Sequence, residues 1–590
     1  MILSTASKTV ILSKLFGVLL FSLTGVFLTS CTQKEKLPEG DPNNGGLILT
    51  EGFEAVVVVD SIGKARHLAV NENGDIYVKL TTGGRNAGNA ALRDTDHDGK
   101  ADRVAYFGDY QEEGGYGPNS MRIYNDYVYF STKGAVYRNK LTPGKLVPES
   151  KIELILRDDY KVEHIAKTLA FDGEGHMYVA FGSTSNVCQE VNREPGSVGQ
   201  DPCLELAEHA GIWRFDANKT SQTKKDGVRY ATGIRSVIAM DWSHGNNSLY
   251  ALQHGRDDLK RTWPSLYTDW QSAMLPAEEF FKVDQGMDGG WPYYYYDQIQ
   301  NKKLLNPEYG GDGKKEGKGA SYAQPLIGFP GHWAPNDLLF YTGNQFPERY
   351  KNGAFIAFHG SANRTSYPQS GYIVCFVPFK NGTPSGPWEV FADGFAKKDT
   401  ILSSSDAAYR PMGLAEGPDG SLYIGDDVKG KIWRVMFKGS KENFGKTQLA
   451  EMEKRKTGIA IRTPDEVKDN LAVGMAGGGE KIYNTYCISC HQKDGKGDGN
   501  RFPPLNGSEW VNGDKQRLIN VLLKGLQGPV KVKGKSFEGV MPKHDFMSDA
   551  DIAKVLTYTR LNFTNNSGII LEAEVAASRK KLNLSTTGKK

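Results

Sequence analysis

The sequence predicts a multidomain chain in which an all-β propeller of six blades over residues 50–437 is followed by a small all-α domain over residues 476–563. One observation is a phrase of turn residues and a short aromatic-bearing strand, which recurs six times in the body of the chain. Another is a change of character after Phe437, beyond which helical patterning and a Cys-x-x-Cys-His group appear. At 590 residues the chain is also too long for one ordinary core.

The composition narrows the classes of function. Lys and Arg together number 72 and Asp and Glu 69, so there is no basic surplus of the kind that binds nucleic acid, and no nucleic-acid partner is expected. The 68 glycines and the 11% of aromatic residues favour many short strands separated by turns.

Residues 1–30 predict an export signal. Lys8 and Lys14 precede an apolar run that extends to Leu28 and ends in "LTSC". Small residues before a cysteine are similar to a bacterial lipoprotein signal, which makes Cys31 the lipid-bearing first residue of the mature chain. A plain secretory signal and a short membrane anchor are the alternatives. We expect residues 31–49 to be a tether and the protein to face the periplasm from a membrane anchor.

The propeller prediction depends on the repeated phrase. Turn residues before alternating apolar and aromatic residues are typical of strand hairpins, and a strand-only repeat is typical of propeller blades. A second phrase, such as "GAVYRNKL" or "GIWRFDAN", predicts an outer strand. Insertions at 182–210 and 256–345 predict loops on one face, where a site would be built. A pair of β-sandwiches with fortuitous turns is the alternative. The six copies are "NENGDIYV", "YNDYVYFS", "DGEGHMYVAFG", "GNNSLYALQHG", "YKNGAFIAFHG" and "GPDGSLYIGDD".

Two further segments complete the domain plan. Residues 438–475 are charged and poor in large apolar side chains, which predicts a linker with some helical content. Residues 564–590 end in "TTGKK" and predict a loose tail. In an exported chain, the nearby Cys188 and Cys203 predict a disulfide, whereas Cys375 in "GYIVCFVPF" predicts a buried strand residue.

"NTYCISCHQKDG" carries the strongest chemical signal. Cys-x-x-Cys-His is the attachment sequence of c-type haem, in which Cys487 and Cys490 form thioethers and His491 binds the iron. Met541, in a Met-Pro context, is the expected sixth ligand, and Met547 is a weaker candidate because a helix capped by Ser548 follows it at once. Zinc or thiol redox chemistry is the alternative, but there is no second cysteine pair. Residues 476–563 resemble a small class I cytochrome c.

A cytochrome joined to a propeller indicates a redox reaction in the propeller. No Gly-x-Gly-x-x-Gly fingerprint follows a strand, and an exported enzyme has little access to nicotinamide, so a tightly held quinone is expected. Six phrases then carry a resemblance over residues 50–437 to the glucose/sorbosone dehydrogenases that use pyrroloquinoline quinone. They are "VEHIAKTLAFDGEGHMYVAFGSTSNVC", "ATGIRSVIAMDW", "LQHGRDDL", "DGGWPYYY", "FHGSANR" and "YRPMGLAEGPDGSLYIGDD".

The resemblance implies roles for individual residues. His164 matches the catalytic base, which takes a proton from a sugar hydroxyl as its carbon gives hydride to the quinone. Arg235 and Arg410 match arginines that hold the quinone carboxylates. Ser236 stands where the family usually has Asn. A structural loop histidine and blade-edge salt bridges are the alternatives.

The resemblance also implies Ca²⁺ beside the quinone, held partly by the backbone carbonyls of Gly255 and Arg256. Separately, "DTDHDGKAD" has carboxylates at calcium-loop spacing but Ala105 where the bidentate Glu would stand. It predicts either an incomplete structural calcium loop or a solvated acidic turn. Its four carboxylates are Asp94, Asp96, Asp98 and Asp102.

Together these features predict an exported dehydrogenase that oxidises an aldose or aldehyde, with pyrroloquinoline quinone, Ca²⁺ and haem c as cofactors. Its electrons would pass to an outside acceptor, either a cytochrome or a membrane oxidase chain. Trp291 and Tyr293 either line the sugar cleft or pack loops. The alternative function is a non-catalytic propeller that binds a glycan or a partner and carries an electron-transfer cytochrome.

Overall fold

The computed structural model describes residues 37–81, 87–110, 120–158, 163–364, 367–465, 478–565 and 567–584. The described residues from Pro38 onward belong to one compact unit. The predicted signal, with Cys31, lies outside the described residues. Within the described ranges, no helix is both long enough and apolar enough to cross a bilayer.

Six sheets of four or five strands form the predicted propeller, and the fold class is confirmed. The pairing is antiparallel except where the added strands Gln222–Thr223 and Met287–Asp288 join in parallel. Each blade runs from an inner strand to an outer one. The strands of blades 1 and 2 are Ala65–Val70, Ile76–Leu80, Asn89–Arg93, Arg103–Phe107, then Met121–Tyr124, Tyr127–Ser131, Ala135–Lys140, Glu153–Arg157 and the added Gln222–Thr223. Those of blades 3 and 4 are Leu169–Phe171, His176–Phe181, Gly211–Asp216, Val228–Thr232 with the added Met287–Asp288, then Val237–Ser243, Ser248–Gln253, Glu278–Val283 and Ile327–Phe329. Those of blades 5 and 6 are Pro335–Phe340, Ala354–Phe358, Ile373–Val377, Glu389–Asp393 with the added Ile48–Leu49, then Pro411–Glu416, Leu422–Asp426, Ile432–Phe437 and Phe53–Val59.

Each copy of the repeated phrase forms the turn into a second strand. "DGEGHMYVAFG", for example, becomes the turn before His176–Phe181, a strand buried along most of its length. The second phrase was predicted to be an outer strand, and this is wrong, because "GIWRFDAN" forms the third strand Gly211–Asp216. The outermost strand of blade 1, Arg103–Phe107, is partly exposed.

The ring closes through the start of the chain. Phe53–Val59 pairs antiparallel with Ile432–Phe437, and the ring of Phe53 packs 4.9 Å from that of Phe437. Ile48–Leu49, in the segment predicted to be a tether, pairs with the outer strand of blade 5. Lys446–Arg455, in the predicted linker, is a helix that packs on the same strand and buries Met452.

The C-terminal domain is helical, as predicted. Leu522, Ile552 and Leu556 belong to its apolar core, and Ser548 caps a helix by accepting a hydrogen bond from the Asp551 N–H at 3.0 Å. The helices of this domain are residues 478–486, Ile488–His491, Lys515–Lys524, Asp549–Leu561 and Glu572–Lys581. A short hairpin, Val530–Val532 with Lys535–Phe537, lies beside them.

The predicted loose tail differs from the structure over residues 572–581, which form the last of these helices. Val575 is buried, and the buried Arg579 donates to Asp549 Oδ1 at 2.7 Å. Single apolar residues spaced along a charged segment gave too weak a pattern to predict this packing.

Several short elements lie in insertions between the strands of blades 4 and 5. The short helices are Leu259–Thr262 and Asp269–Met274, and the short hairpins are Tyr294–Asp297 with Lys302–Leu305 and Phe379–Lys380 with Thr383–Pro384.

Candidate functional site

The blade topology gathers the predicted propeller residues at one end of the ring. Because inner and second strands are antiparallel, the start of every inner strand lies beside the end of a second strand. His164, Arg235 and Arg410 precede inner strands, and Gly255 follows a second strand. We call this end the mouth.

His164 is half-buried in the mouth and has a defined tautomer. Its Nδ1 lies 3.1 Å from the carbonyl oxygen of Ser183 and 2.9 Å from Ser183 Oγ. That hydroxyl donates its own hydrogen to the Ser185 carbonyl at 2.6 Å, so it accepts from the imidazole. Nδ1 therefore carries the proton and Nε2 keeps its lone pair.

The surroundings of His164 keep the ring neutral. Burial lowers the pKa of His164 well below its ordinary value, and the nearby Arg235 guanidinium acts in the same direction. A Cβ on Gly182 would lie 2.3 Å from the His164 carbonyl oxygen, so only glycine permits this approach. A neutral imidazole with an unprotonated Nε2 is the form that a general base requires.

Arg235 is almost completely buried and is held by protein groups on every side. Its Nε donates to the Asn186 carbonyl at 3.0 Å, and its Nη1 to the Gly255 carbonyl at 2.8 Å. Its Nη2 donates to Asn186 Oδ1 and to Asp257 Oδ2, both at 2.9 Å. A contact of 3.5 Å from Nη1 to the His254 carbonyl uses the last N–H. Arg235 thus fixes the mouth loops and has no donor left for a ligand in this arrangement.

Asp257 is the carboxylate that pairs with Arg235 and with the cations around it. Its Oδ2 also accepts from Arg193 Nη2 at 3.0 Å, and its Oδ1 accepts from Asn363 at 2.8 Å. Burial alone would raise the pKa of the Asp257 carboxyl, but Arg235 and its cationic neighbours bring that pKa well below its ordinary value. The carboxylate is therefore ionised and paired at neutral pH.

The opposite side of the mouth retains open donors. Arg410 donates from Nε to the His359 carbonyl at 3.1 Å and from Nη2 to the Gly360 carbonyl at 2.6 Å, while no described residue accepts from its Nη1. Asp427 Oδ2 lies 3.1 Å from Arg66 Nη1 and 2.8 Å from His359 Nε2. Arg66 Nε is buried without a hydrogen-bond partner in the described chain. Arg410 Nη1 and Arg66 Nε are therefore the groups that could donate hydrogen bonds to an anionic ligand.

Three mouth histidines were not predicted as site residues. Burial lowers the pKa values of His254 and His359 to about 4, and His332 is lowered in the same way. His254 Nε2 lies 2.9 Å from the Pro335 carbonyl oxygen, and His332 Nε2 lies 2.9 Å from that of Ser272. These histidines stand in the sequence phrases "QHG", "GHW" and "FHG". The sequence alone does not show that they lie close together, because they meet only when the ring of blades closes.

The predicted calcium carbonyls lie beside Arg235. The Gly255 carbonyl accepts from Arg235, and its N–H donates to Glu278 Oε2 at 3.0 Å. The Arg256 side chain turns inward to a buried ion pair of 2.6 Å with Glu308, so only its carbonyl could bind a cation. Burial raises the pKa of Glu278 to about 8. Hard oxygen donors are present, but one of them is already engaged.

The acidic loop lies at the other end of the ring, because it joins the third and fourth strands of blade 1. Ligand oxygens of Asp94, Asp96 and Asp98 lie within 4.8 Å of one another. Asp102 instead accepts a hydrogen bond from the Thr95 N–H at 3.2 Å. A cation there would be structural and remote from His164.

Cys188 and Cys203, the predicted pair, form a disulfide in the loop over the mouth. Trp291 is buried against it and donates from Nε1 to the Asn186 carbonyl at 3.1 Å. The Tyr293 hydroxyl accepts from the Cys203 N–H at 3.0 Å. Of the two interpretations of these aromatics, the contacts favour loop packing.

The C-terminal domain contains an apolar cavity that is partly open to solvent. Cys487, His491 and Met541 line it, and Cys490 lines the adjoining cavity at its edge. His491 Nδ1 lies 3.0 Å from the Pro503 carbonyl oxygen, which places the proton on Nδ1 and leaves Nε2 as the metal-binding atom. The apolar lining and this donor set fit a c-type haem.

Comparisons with known proteins agree with this two-part organisation. Residues 305–438 match a family model described as TrAA12-like, and residues 477–560 match that of cytochrome c. The propeller has the fold of the holo pyranose dehydrogenase PQQ domain from Coprinopsis cinerea, at a TM-score of 0.53 and 16% identity over 66% of this chain and 97% of that one. The predicted fusion of a propeller of this fold with a C-terminal domain that matches cytochrome c is confirmed.

Two curated relatives match shorter stretches. Cytochrome c-552 of Thermus thermophilus is 44% identical over 92 residues, which are 15% of this chain and 61% of the relative. An uncharacterized protein of Borreliella burgdorferi is 29% identical over 217 residues, or 37% of this chain and 50% of the relative. The matched stretches thus cover about half of the length of the Borreliella protein and about three fifths of that of the cytochrome.

Proposed function

We propose that this protein is an exported quinohaemoprotein dehydrogenase that oxidises an aldose or aldehyde in the propeller mouth and delivers the electrons to its own haem c. The observation that carries the proposal is the His164 arrangement, in which Nδ1–H is fixed by Ser183 and the neutral ring keeps Nε2 for a proton. The pyranose dehydrogenase domain of the same fold, named as a PQQ domain, supports the choice of cofactor.

His164 Nε2 accepts the hydroxyl proton of the substrate, and the Ser183 contacts hold the imidazole in the required tautomer. Pyrroloquinoline quinone, when bound, supplies the carbonyl that accepts two electrons as hydride. Arg410 Nη1 and Arg66 Nε are the donors that would meet its carboxylates. On the other side of the mouth, Arg235 positions Asn186 and Asp257.

A calcium ion would use the carbonyls of Gly255 and Arg256, with the ionised Asp257 as a third hard donor. Because the Gly255 carbonyl accepts from Arg235, cation binding requires that this oxygen serve both partners through its two lone pairs. In the C-terminal domain, Cys487 and Cys490 would carry the haem, with His491 and Met541 on the iron.

Export and anchoring belong to the same proposal. A disulfide in the mouth loop is typical of an oxidising compartment, and the lipoprotein-like "LTSC" supports a periplasm-facing protein tethered through Cys31. Cys31→Ala should release the protein from the membrane fraction. Retention of that variant in the membrane would contradict a lipid anchor.

The function is tested with full-length protein carrying haem c, to which pyrroloquinoline quinone and Ca²⁺ are added. A panel of aldoses and aldehydes should include at least one that reduces the haem, followed by its absorption spectrum. His164→Gln should lower the rate by about 10²–10⁴-fold. His176→Gln, in the same blade but at the opposite end, is the matched control and should leave it unchanged. A haem that stays oxidised throughout would contradict the proposal.

A non-catalytic binding propeller is the second candidate. It is favoured by the complete use of the Arg235 donors within the protein and by Ser236 in place of the family asparagine. Equilibrium dialysis with pyrroloquinoline quinone separates the two functions. A binding module shows no quinone retention, whereas the dehydrogenase retains quinone and loses affinity in Arg410→Gln.

A further inference from the structure

The haem cavity contains a second nitrogen donor besides His491. His544 is only 9% exposed and lines the cavity together with Met541, three residues before it. Its Nδ1 is buried and has no hydrogen-bond partner in the described chain. A buried imidazole nitrogen without a partner costs free energy, so this atom calls for a ligand that the protein itself does not supply.

The fold, rather than a free loop, holds His544 at the cavity. Its backbone N–H donates to the Leu522 carbonyl at 2.7 Å, which attaches it to the helix Lys515–Lys524. Its ring lies 5.8 Å from that of Phe546. Met541 is attached nearby by two backbone hydrogen bonds of 2.9 Å with Leu526.

Other side chains near Met541 are weaker candidates for the same role. Met547 lines the cavity, but a helix cap follows it directly. Lys543 is exposed and forms an ion pair of 2.9 Å with Asp545. Imidazole is the commonest metal ligand in proteins, and His544 presents one with an open nitrogen.

We propose that His544 is an alternative sixth ligand of the haem iron, which binds through Nδ1 when Met541 withdraws. The exchange breaks an iron–sulfur bond and forms an iron–nitrogen bond, with the imidazole proton on Nε2 and no change in oxidation state. The inference depends on the haem attachment proposed above. Because thioether ligation raises the reduction potential of a haem, replacing Met541 by His544 lowers that potential. The domain would then have two reduction potentials, one for each ligand.

The test uses full-length protein with haem attached and compares Met541→Leu, which keeps the side-chain volume, with Met541→Leu/His544→Leu. In the single variant His544 should keep the iron low-spin, and CO should bind ferrous haem at least about tenfold more slowly than in the double variant. Its reduction potential should also lie below that of the wild type. Lys543→Gln, at an exposed neighbour that does not line the cavity, is the control and should leave spectrum and potential unchanged.

Equal CO binding by the single and double variants, with high-spin iron in both, would overturn the role of His544. Met541→Ala and Met541→Ala/His544→Leu provide a second pair, in case leucine at position 541 disturbs the packing. CO should again bind more slowly to the single variant than to the double variant. A denaturing gel stained for haem separates the two levels of failure. Missing covalent haem would overturn the haem attachment, and this inference with it, whereas attached haem with free CO access overturns the inference alone.

Discussion

The propeller mouth and the haem cavity hold their reactive groups by opposite means. In the mouth, charged side chains from different blades fix one another, as Arg66 of blade 1 does with Asp427 of blade 6 at 3.1 Å. In the cavity, apolar side chains surround the short Cys-x-x-Cys-His motif, and a polar contact to the Pro503 carbonyl orients His491. The mouth therefore depends on long-range pairing of charges, and the cavity on a local sequence and on packing.

The largest expected effect separates the two regions entirely. Cys487→Ser/Cys490→Ser should abolish covalent haem attachment, because both thioether positions are lost, while substrate-dependent reduction of an added dye at the propeller persists. Haem staining and dye reduction measure the two outcomes. Ser489→Ala, between the two cysteines, is the control and should keep the haem. Loss of dye reduction together with the haem would show that the mouth does not act independently.

The next effect measures how far the mouth depends on buried charge. Arg235→Met removes a buried cation and leaves Asp257 short of a partner, so the free energy of unfolding should fall by about 3–5 kcal/mol. Urea unfolding of the full chain gives the value. Arg410→Gln is the matched comparison, because it is less buried, and should cost below about 1 kcal/mol. Equal losses in the two variants would contradict a special structural role for Arg235.

The two regions also differ in how much the sequence could predict. Cys487, Cys490 and His491 are adjacent, so their joint role was readable from spacing alone. The six repeated turns likewise predicted the blades, because each turn and strand is local. His254, His359 and Asp427 were missed as site residues because their phrases are separated by whole blades and meet only when the ring closes. The C-terminal helix was missed because its packing depends on single residues such as Val575.

A smaller effect concerns the disulfide over the mouth. Cys188→Ser/Cys203→Ser opens a loop of 15 residues and should lower the free energy of unfolding by about 3 kcal/mol. The spectrum of the haem domain should not change, because the bridge packs against Trp291 in the propeller. A changed haem spectrum would contradict the separation of the two regions. Cys375→Ser, which removes a buried thiol but no bridge, is the control for cysteine loss.

The last expected effect is a pH dependence of stability. The pKa values of His67, His254 and His359 lie at about 4 in the fold, below their ordinary value of 6.5, so the unfolded chain takes up these protons first. Their contribution to stability is complete above pH 6.5 and is lost as the pH falls towards 4. Urea midpoints measured across this window should decline, and His359→Gln should flatten the decline. An unchanged slope would contradict the buried neutral state of His359.

The central claim is that one chain contains both a two-electron oxidation site and the one-electron carrier that empties it. Its most direct measurement is the rate of haem reduction after substrate is mixed with protein loaded with pyrroloquinoline quinone and Ca²⁺, at several protein concentrations. Transfer within one chain predicts a first-order rate constant that does not change with protein concentration and collapses in His164→Gln. A rate constant that rises in proportion to protein concentration, or is indifferent to His164, would contradict the claim.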